Sequence, residues 1–207
     1  MGITHNFFII AVTGGIACGK SETGKILESL GFDICDSDTI AHELLKKDTS
    51  VYREIINHFG NSILTIENEI SRPTLGKIIF KNPQERKKLN KIIHPKIKEK
   101  INEWILKQRK KKKNGAVLLP LLFETSMENL NWDAIFCVSS SSDLIFQRLE
   151  KRGLTHKEAE QRIRSQMKLK EKEKRADWVI SNTGTLNDLN KNIQKIVRYL
   201  NDGENYD

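Results

Sequence analysis

The chain has 207 residues, of which 38% are hydrophobic and 30% charged; that suits one domain, or one domain with a sizeable insertion, and excludes collagen-like, disordered and large multidomain readings. Thirty-five Lys and Arg against 27 Asp and Glu give +8 at pH 7, a field that attracts polyanions, for which nucleic acid and phosphorylated metabolites both qualify. The longest apolar runs, residues 7–12 and 116–123, are far shorter than the roughly 18 residues a membrane helix needs.

Residues 7–13 form a continuously apolar, β-branched and aromatic run that ends in glycines, as expected of a strand buried on both faces of a parallel sheet. No basic region precedes this run, no small-residue cleavage pattern follows it, and Asn6 spoils a myristoylation match, so a cytosolic address is expected. Residues 20–30 have helical spacing, with Ile26, Leu27 and Leu30 on one side and Gly31 as a natural stop. A short strand at 32–35 then ends in Asp36-Ser37-Asp38, and further strands are expected at 116–119, 135–138 and 178–180. Strands alternating with helices imply an α/β fold with a doubly wound, five-stranded parallel sheet.

Residues 39–113 show almost no strand signal and repeated helical periodicity, and we read them as a helical insertion into a core made of 1–38 and 114–207. Its helices are expected to break at Gly60, Arg72-Pro73, Asn82-Pro83 and His94-Pro95, because residues before proline are pushed out of the helical region. The closing run of Arg109 and Lys110 to Lys113 reads as a solvated helix end rather than a nucleic-acid arm, since no aromatic residue is interleaved with it. Residues 142–174 look helical and basic, with Gly153 as a break and Thr155-x-x-Glu158 as a capping box. A last amphipathic helix at 186–200, capped by Thr185, precedes a polar tail. Cys18, Cys35 and Cys137 are too few and too scattered for a disulfide framework or a zinc cluster and are expected to be reduced.

Gly14-Gly15-Ile16-Ala17-Cys18-Gly19-Lys20-Ser21 fits G-x-x-x-x-G-K-[ST] between a strand and a helix, the context this phosphate-binding motif requires. Its glycines let successive N–H groups face phosphate oxygens at a helix N-terminus, Lys20 is placed to reach the β- and γ-phosphates, and the Ser21 hydroxyl to ligate Mg²⁺. Asp36, Asp38 and Glu124 follow the second and third strands, at the sheet end where open α/β sheets bind ligands, and are candidates for base and metal work. Loop capping is the competing use of these acids; for Asp38 the functional reading leads, and for the other two the readings are even. Arg148 and Arg152 in the basic helical stretch are candidates for a mobile lid that neutralises a transferring phosphoryl group.

With these residues assembled, the chain resembles the dephospho-coenzyme A kinases, P-loop kinases similar to nucleoside monophosphate kinases. The resemblance runs nearly end to end: Thr13 to Ile16 leading into Gly19-Lys20-Ser21, Asp36-Ser37-Asp38 with Ile40-Ala41, Arg72 followed by Leu75, Ile79 and Phe80, His94-Pro95, residues 120–124, Gln147-Arg148 with Arg152, Gln166, and residues 176–184. It implies ATP-dependent transfer to the ribose 3′-hydroxyl of dephospho-CoA, with Mg²⁺, and Asp38 as the base assisted by Lys20 and Arg148. It also implies an ATP site at Gly14 to Glu22 with Arg148, Arg152 and Asn182, the last by the adenine. The 39–113 insertion becomes the acceptor-binding element, with Asp36, Asp38, Arg72, His94, Leu121 and Glu124 on the acceptor, and 142–174 the lid. No membrane or nucleic-acid partner is implied, and oligomeric state is left open. Ala17 and Glu22 depart from the family's usual glycine and threonine; Ala17 serves if its φ is negative, and Glu22 places a carboxylate near phosphates. A nucleoside or nucleotide kinase of the same fold changes only the acceptor, and an ATP-switched nucleic-acid-binding protein is the rival of another class, motivated by the +8 charge and the lysine run.

Overall fold

The computed structural model describes residues 7–202; the readings made on residues 1–6 and on the tail at 203–207 lie outside them. Two compact units divide the chain, one made of the residues up to Asp36 together with those from Trp104 onward, the other Ser37–Glu103.

The first unit is built on β1 (Ile9–Gly14), β2 (Asp33–Asp36), β3 (Gly115–Leu118), β4 (Ala134–Ser139) and β5 (Trp178–Ser181). They form one sheet in the order β2-β3-β1-β4-β5, every pair parallel. All six residues of β1 are buried, which is why this central strand reads as a continuous apolar run instead of alternating. Polar side chains at strand entrances help hold the register. Asp133 accepts from the Ile9 N–H at 2.7 Å, Asp177 from that of Ile135 at 2.7 Å, and Asn114 from that of Phe8 at 2.8 Å. Helices α1 (Lys20–Ser29), α6 (Ser142–Glu150), α7 (His156–Arg164), α8 (Leu169–Arg175) and α9 (Leu186–Asp202) belong to this unit. Ile26, Leu27, Ile145, Leu149, Ala159, Ile193 and Ile196 from these helices join Ile10, Val12, Phe136 and Val138 of the sheet in the core. Beyond α1, the N–H groups of Gly31 (φ 88°) and Phe32 bond the carbonyls of Glu28 and Leu27, so the glycine does end the helix in a left-handed cap. The Thr155–Glu158 capping box is formed, and Thr185 accepts from the Asp188 N–H while the Asp188 carboxylate accepts in return.

The second unit holds α2 (Ser37–Leu44), α3 (Ser50–Phe59), α4 (Arg72–Lys81) and the start of α5 (Pro83–Lys111), with one isolated antiparallel bridge between Leu64 and Ile70. Gly60 and Asn82-Pro83 end helices as expected, while Arg72-Pro73 opens one: Ser71 caps α4 and Pro73 sits in its first turn. The break expected at His94-Pro95 is absent, and α5 runs through Pro95 for 29 residues. Proline inside a helix costs roughly 3 kcal/mol. Leu89, Ile93, Ile97, Ile101 and Ile105, one every four residues on both sides of it, are all buried, and each is worth about 1.5–3 kcal/mol, so the stripe wins. No helix among the described residues is long and apolar enough to cross a membrane.

Candidate active site

β1 delivers the chain at Gly14 and α1 takes it up at Lys20, with the phosphate-binding motif as the connection. Two of its glycines are required by contact as well as by φ. Gly14 has φ 146°, and a Cβ there would stand 2.3 Å from the Val138 carbonyl oxygen on β4; Gly19 has φ 107°, and a Cβ there would stand 2.2 Å from Asn182 Nδ2. The Gly14 neighbour is backbone of a central strand and has nowhere to go. Gly14→Ala is therefore expected to destabilise by about 2 kcal/mol or more and to abolish ATP turnover, readable from urea unfolding and an ADP-release assay on the same preparation.

Ala17 departs from the sequence expectation. Its φ is 57°, in the left-handed region, a conformation that costs a non-glycine residue about 1–2 kcal/mol. Contacts from far along the chain hold it there. Arg148 Nη1 donates to the Ala17 carbonyl at 3.1 Å and to Ser140 Oγ at 3.3 Å, and Nη2 donates to the Asn182 carbonyl at 3.0 Å. Asn182 Nδ2 donates to the Cys18 carbonyl at 2.8 Å. Lys20 Nζ reaches the carbonyls of Gly14 and Gly15 at 3.3 and 3.0 Å. Four carbonyl oxygens of the loop are thus engaged by cationic or amide donors. An anion-binding loop needs this, because carbonyl oxygens facing an anion would repel it.

These contacts fix where Arg148 and Asn182 sit relative to the loop. α6 carries Ile145 and Leu149 in the core, and the Arg148 guanidinium sits beneath the loop, bonded to its Ala17 carbonyl. The Asn182 side chain is buried and committed to Cys18, so it supports the phosphate loop. Arg152 is exposed in the turn after α6. Glu22 pairs with Lys25 at 2.9 Å on the exposed face of α1, which offsets the carboxylate near the loop. Ser21 is exposed at the helix start. The three cysteines are unpaired and buried. Burial pushes the thiols of Cys35 and Cys137 up to about 12 and raises that of Cys18 above its ordinary value, so none is a thiolate nucleophile at neutral pH.

Asp36 closes β2, half-buried, opposite Leu118 of β3; Ser37 and Asp38 follow in the first turn of α2, with Asp38 exposed. Leu121 lies half-buried in the turns after β3. Glu124, in the same turns, accepts from the Met167 N–H at 2.9 Å and lies 2.8 Å from Lys172 Nζ. In the second unit Arg72 is exposed at the start of α4, and His94 is half-buried in α5, where burial pushes its imidazole below the ordinary histidine value and favours the neutral form. Ser139, Ser140, Lys172 and Glu173 were not among the sequence candidates. Leu169 and Lys172 share a face at i, i+3 spacing, but in a segment of alternating Lys and Glu nothing in the residue types singles out Lys172.

For a divalent cation the donor set is sparse: among the described residues no three His, Cys, Asp or Glu side chains gather as a metal site. That fits Mg²⁺, which keeps waters and takes phosphate oxygens, so that the Ser21 hydroxyl with one carboxylate suffices.

The dephospho-CoA kinase family model matches residues 8–188. A dephospho-CoA kinase of Lactobacillus johnsonii is 37% identical over 195 residues, 93% of this chain and 98% of that protein. Among solved structures, dephospho-CoA kinase from Campylobacter jejuni superposes with a TM-score of 0.72 at 34% identity, over 94% of this chain and 98% of that one. A shikimate kinase from Acinetobacter baumannii shares the fold, with a TM-score of 0.56 at 15% identity over 94% of each chain.

Proposed function

The chain belongs to the dephospho-CoA kinase family, and we propose that it transfers the γ-phosphoryl group of ATP to the ribose 3′-hydroxyl of dephospho-CoA, giving coenzyme A and ADP, the last step of CoA biosynthesis. The observation that carries the site assignment is the loop from Gly14 to Ser21, its carbonyls tied down by Lys20, Arg148 and Asn182.

Gly14 to Glu22 hold the ATP phosphates, with backbone N–H groups and the α1 N-terminus supplying positive potential. Lys20 leaves the loop carbonyls for the β- and γ-phosphates. Arg152 closes over ATP, and Arg148 and Asn182 act from beneath as positioning residues, the segment at Asn182 bordering the adenine. Asp38 accepts the 3′-hydroxyl proton as the new O–P bond forms and the bond to the β,γ-bridging oxygen breaks, leaving ADP. Asp36, Arg72, His94 and Leu121 serve acceptor binding, with residues 39–113 as the acceptor element. Ser21 would hold Mg²⁺, with Asp36 at the end of β2 as the candidate carboxylate, and the ion when bound would neutralise charge on the phosphates. Glu124, tied to Lys172, takes no chemical role. The protein is on this reading a cytosolic enzyme without a nucleic-acid partner.

The test is ADP release with a panel of acceptors: dephospho-CoA, AMP, CMP, uridine and pantothenate. Turnover with dephospho-CoA at least about 100-fold above the others is expected, since a site built around an acceptor's polar groups rejects analogues that leave them unpaired. Preference for AMP or CMP would move the assignment to a nucleotide kinase.

A further inference from the structure

Lys172 is fully buried, the only lysine or arginine so placed among the described residues. Its Nζ lies 2.8 Å from Glu124 Oε1 and donates to the Pro120 carbonyl at 2.6 Å. Stability does not account for it. Burying the ammonium costs several kcal/mol even with the accessible Glu124 carboxylate beside it, and an apolar side chain of similar volume in such a place is often neutral or better. The pair supplies instead a fixed geometry among elements that otherwise have no covalent reason to keep step.

Those elements are the ones the reaction uses. The sheet order places β3, β1 and β4 side by side, and α8 reaches the segments at the carboxyl ends of all three. The Leu169 side chain comes within 3.6 Å of where a Gly15 Cβ would stand, in the phosphate loop after β1. Lys172 grips Pro120 and Glu124 in the turns after β3. Glu173 accepts from Ser139 Oγ at the end of β4 at 2.5 Å. Arg175 stacks over Phe123 at 4.3 Å and pairs with Glu128, which adds to the hold on the turns after β3. Glu124 also receives the Met167 N–H, which fixes the connection between α7 and α8.

We propose that Lys172 is a positioning residue for phosphoryl transfer: through Glu124 and the Pro120 carbonyl it locks the turns after β3 to α8, and thereby to the phosphate loop and to the end of the basic helical segment. Lys172 is fully buried, with its Nζ engaged by the Pro120 carbonyl and Glu124, so its removal is expected to leave ground-state binding and to degrade alignment in the transition state. A displacement of about 1 Å at the reacting atoms is worth on the order of 100-fold in rate. Glu124 is then the anchor of the lock and not the base.

The inference rests on the phosphate-loop reading, and Lys20→Ala assayed alongside separates the two. If Lys20→Ala turns over normally, the site reading fails; if it is inactive while the Lys172 variants are normal, only the lock fails. The variants are Lys172→Met with Glu124→Leu, which removes both charges and retains volume, and Glu124→Gln, whose amide oxygen still accepts from Lys172 and Met167. With dephospho-CoA and Mg-ATP, the double variant is expected to show kcat lowered about 10- to 100-fold with both KM values within about threefold, and Glu124→Gln kcat within about threefold of wild type. Wild-type kcat in the double variant would make the pair merely structural and overturn the proposal. So would a loss in Glu124→Gln as deep as in the double variant, which would return Glu124 to the chemistry. Should the double variant lack a cooperative thermal transition, Lys172→Gln replaces it, with the same split expected and wild-type kcat again overturning the lock.

Discussion

Lys20→Ala is expected to lower kcat/KM for ATP turnover by about 10³-fold or more while the protein still unfolds cooperatively. The ammonium is asked to stabilise charge that grows on the phosphoryl oxygens in a site that excludes water, and deleting one such preorganised donor typically costs about 10²–10³-fold before any loss of ground-state binding is added. The fold loses much less. Lys20 is half-buried, and its Nζ bonds the Gly14 and Gly15 carbonyls at the open edge of the loop, where water can replace it. A loss of about 1–2 kcal/mol follows, equivalent to a melting temperature lower by about 2–8 °C for a chain of this size. Calorimetry and initial rates on one preparation check both halves. Near-normal turnover would remove the phosphate-loop argument.

Asp38→Asn is expected to have the largest effect on the chemical step among the carboxylates, about 10²–10⁴-fold in single-turnover rate. A hydroxyl is a poor nucleophile at neutral pH, and the substitution keeps the side chain's size while removing the charge that accepts its proton. Because phosphoryl transfer is largely dissociative, part of the loss can come from misplacing the 3′-hydroxyl, so acceptor and Mg-ATP binding are measured separately. Normal binding with slow transfer supports the base assignment. If Asp36→Asn is the slower variant, the base or the metal anchor is the residue that closes β2. Glu124→Asn shortens the side chain as well as removing its charge, so the isosteric Glu124→Gln is the comparison for the third acid.

Much of this molecule is legible in the sequence because its signals are local. The phosphate-binding motif is eight consecutive residues, its strand is marked by an unbroken apolar run, and its helix by 3.6-residue spacing. The five expected strands fall within about two residues of their observed bounds; β1 and β3, buried throughout, advertise themselves in composition, while the edge strands β2 and β5 are short apolar, β-branched stretches. Capping residues such as Thr155 and Thr185 act over three positions and are equally visible. His94-Pro95 shows where a local rule yields: proline argues for a break, and five buried aliphatics at four-residue intervals outweigh it.

Pairings across long stretches of chain are settled only by folding. Arg148 meets the Ala17 carbonyl over a separation of 131 residues and Asn182 meets that of Cys18 over 164, so neither pattern nor propensity could place a guanidinium and an amide beneath the phosphate loop. Those bonds in turn hold Ala17 at φ 57°, where a local preference for negative φ predicts otherwise. Lys172 is the sharpest instance. In sequence it is one cation in a run of alternating charges, and periodicity can show which face of a helix turns inward. That an inward lysine is tolerable depends on a carboxylate and a carbonyl some fifty residues away, and a buried charge is stable only where folding brings such partners to it.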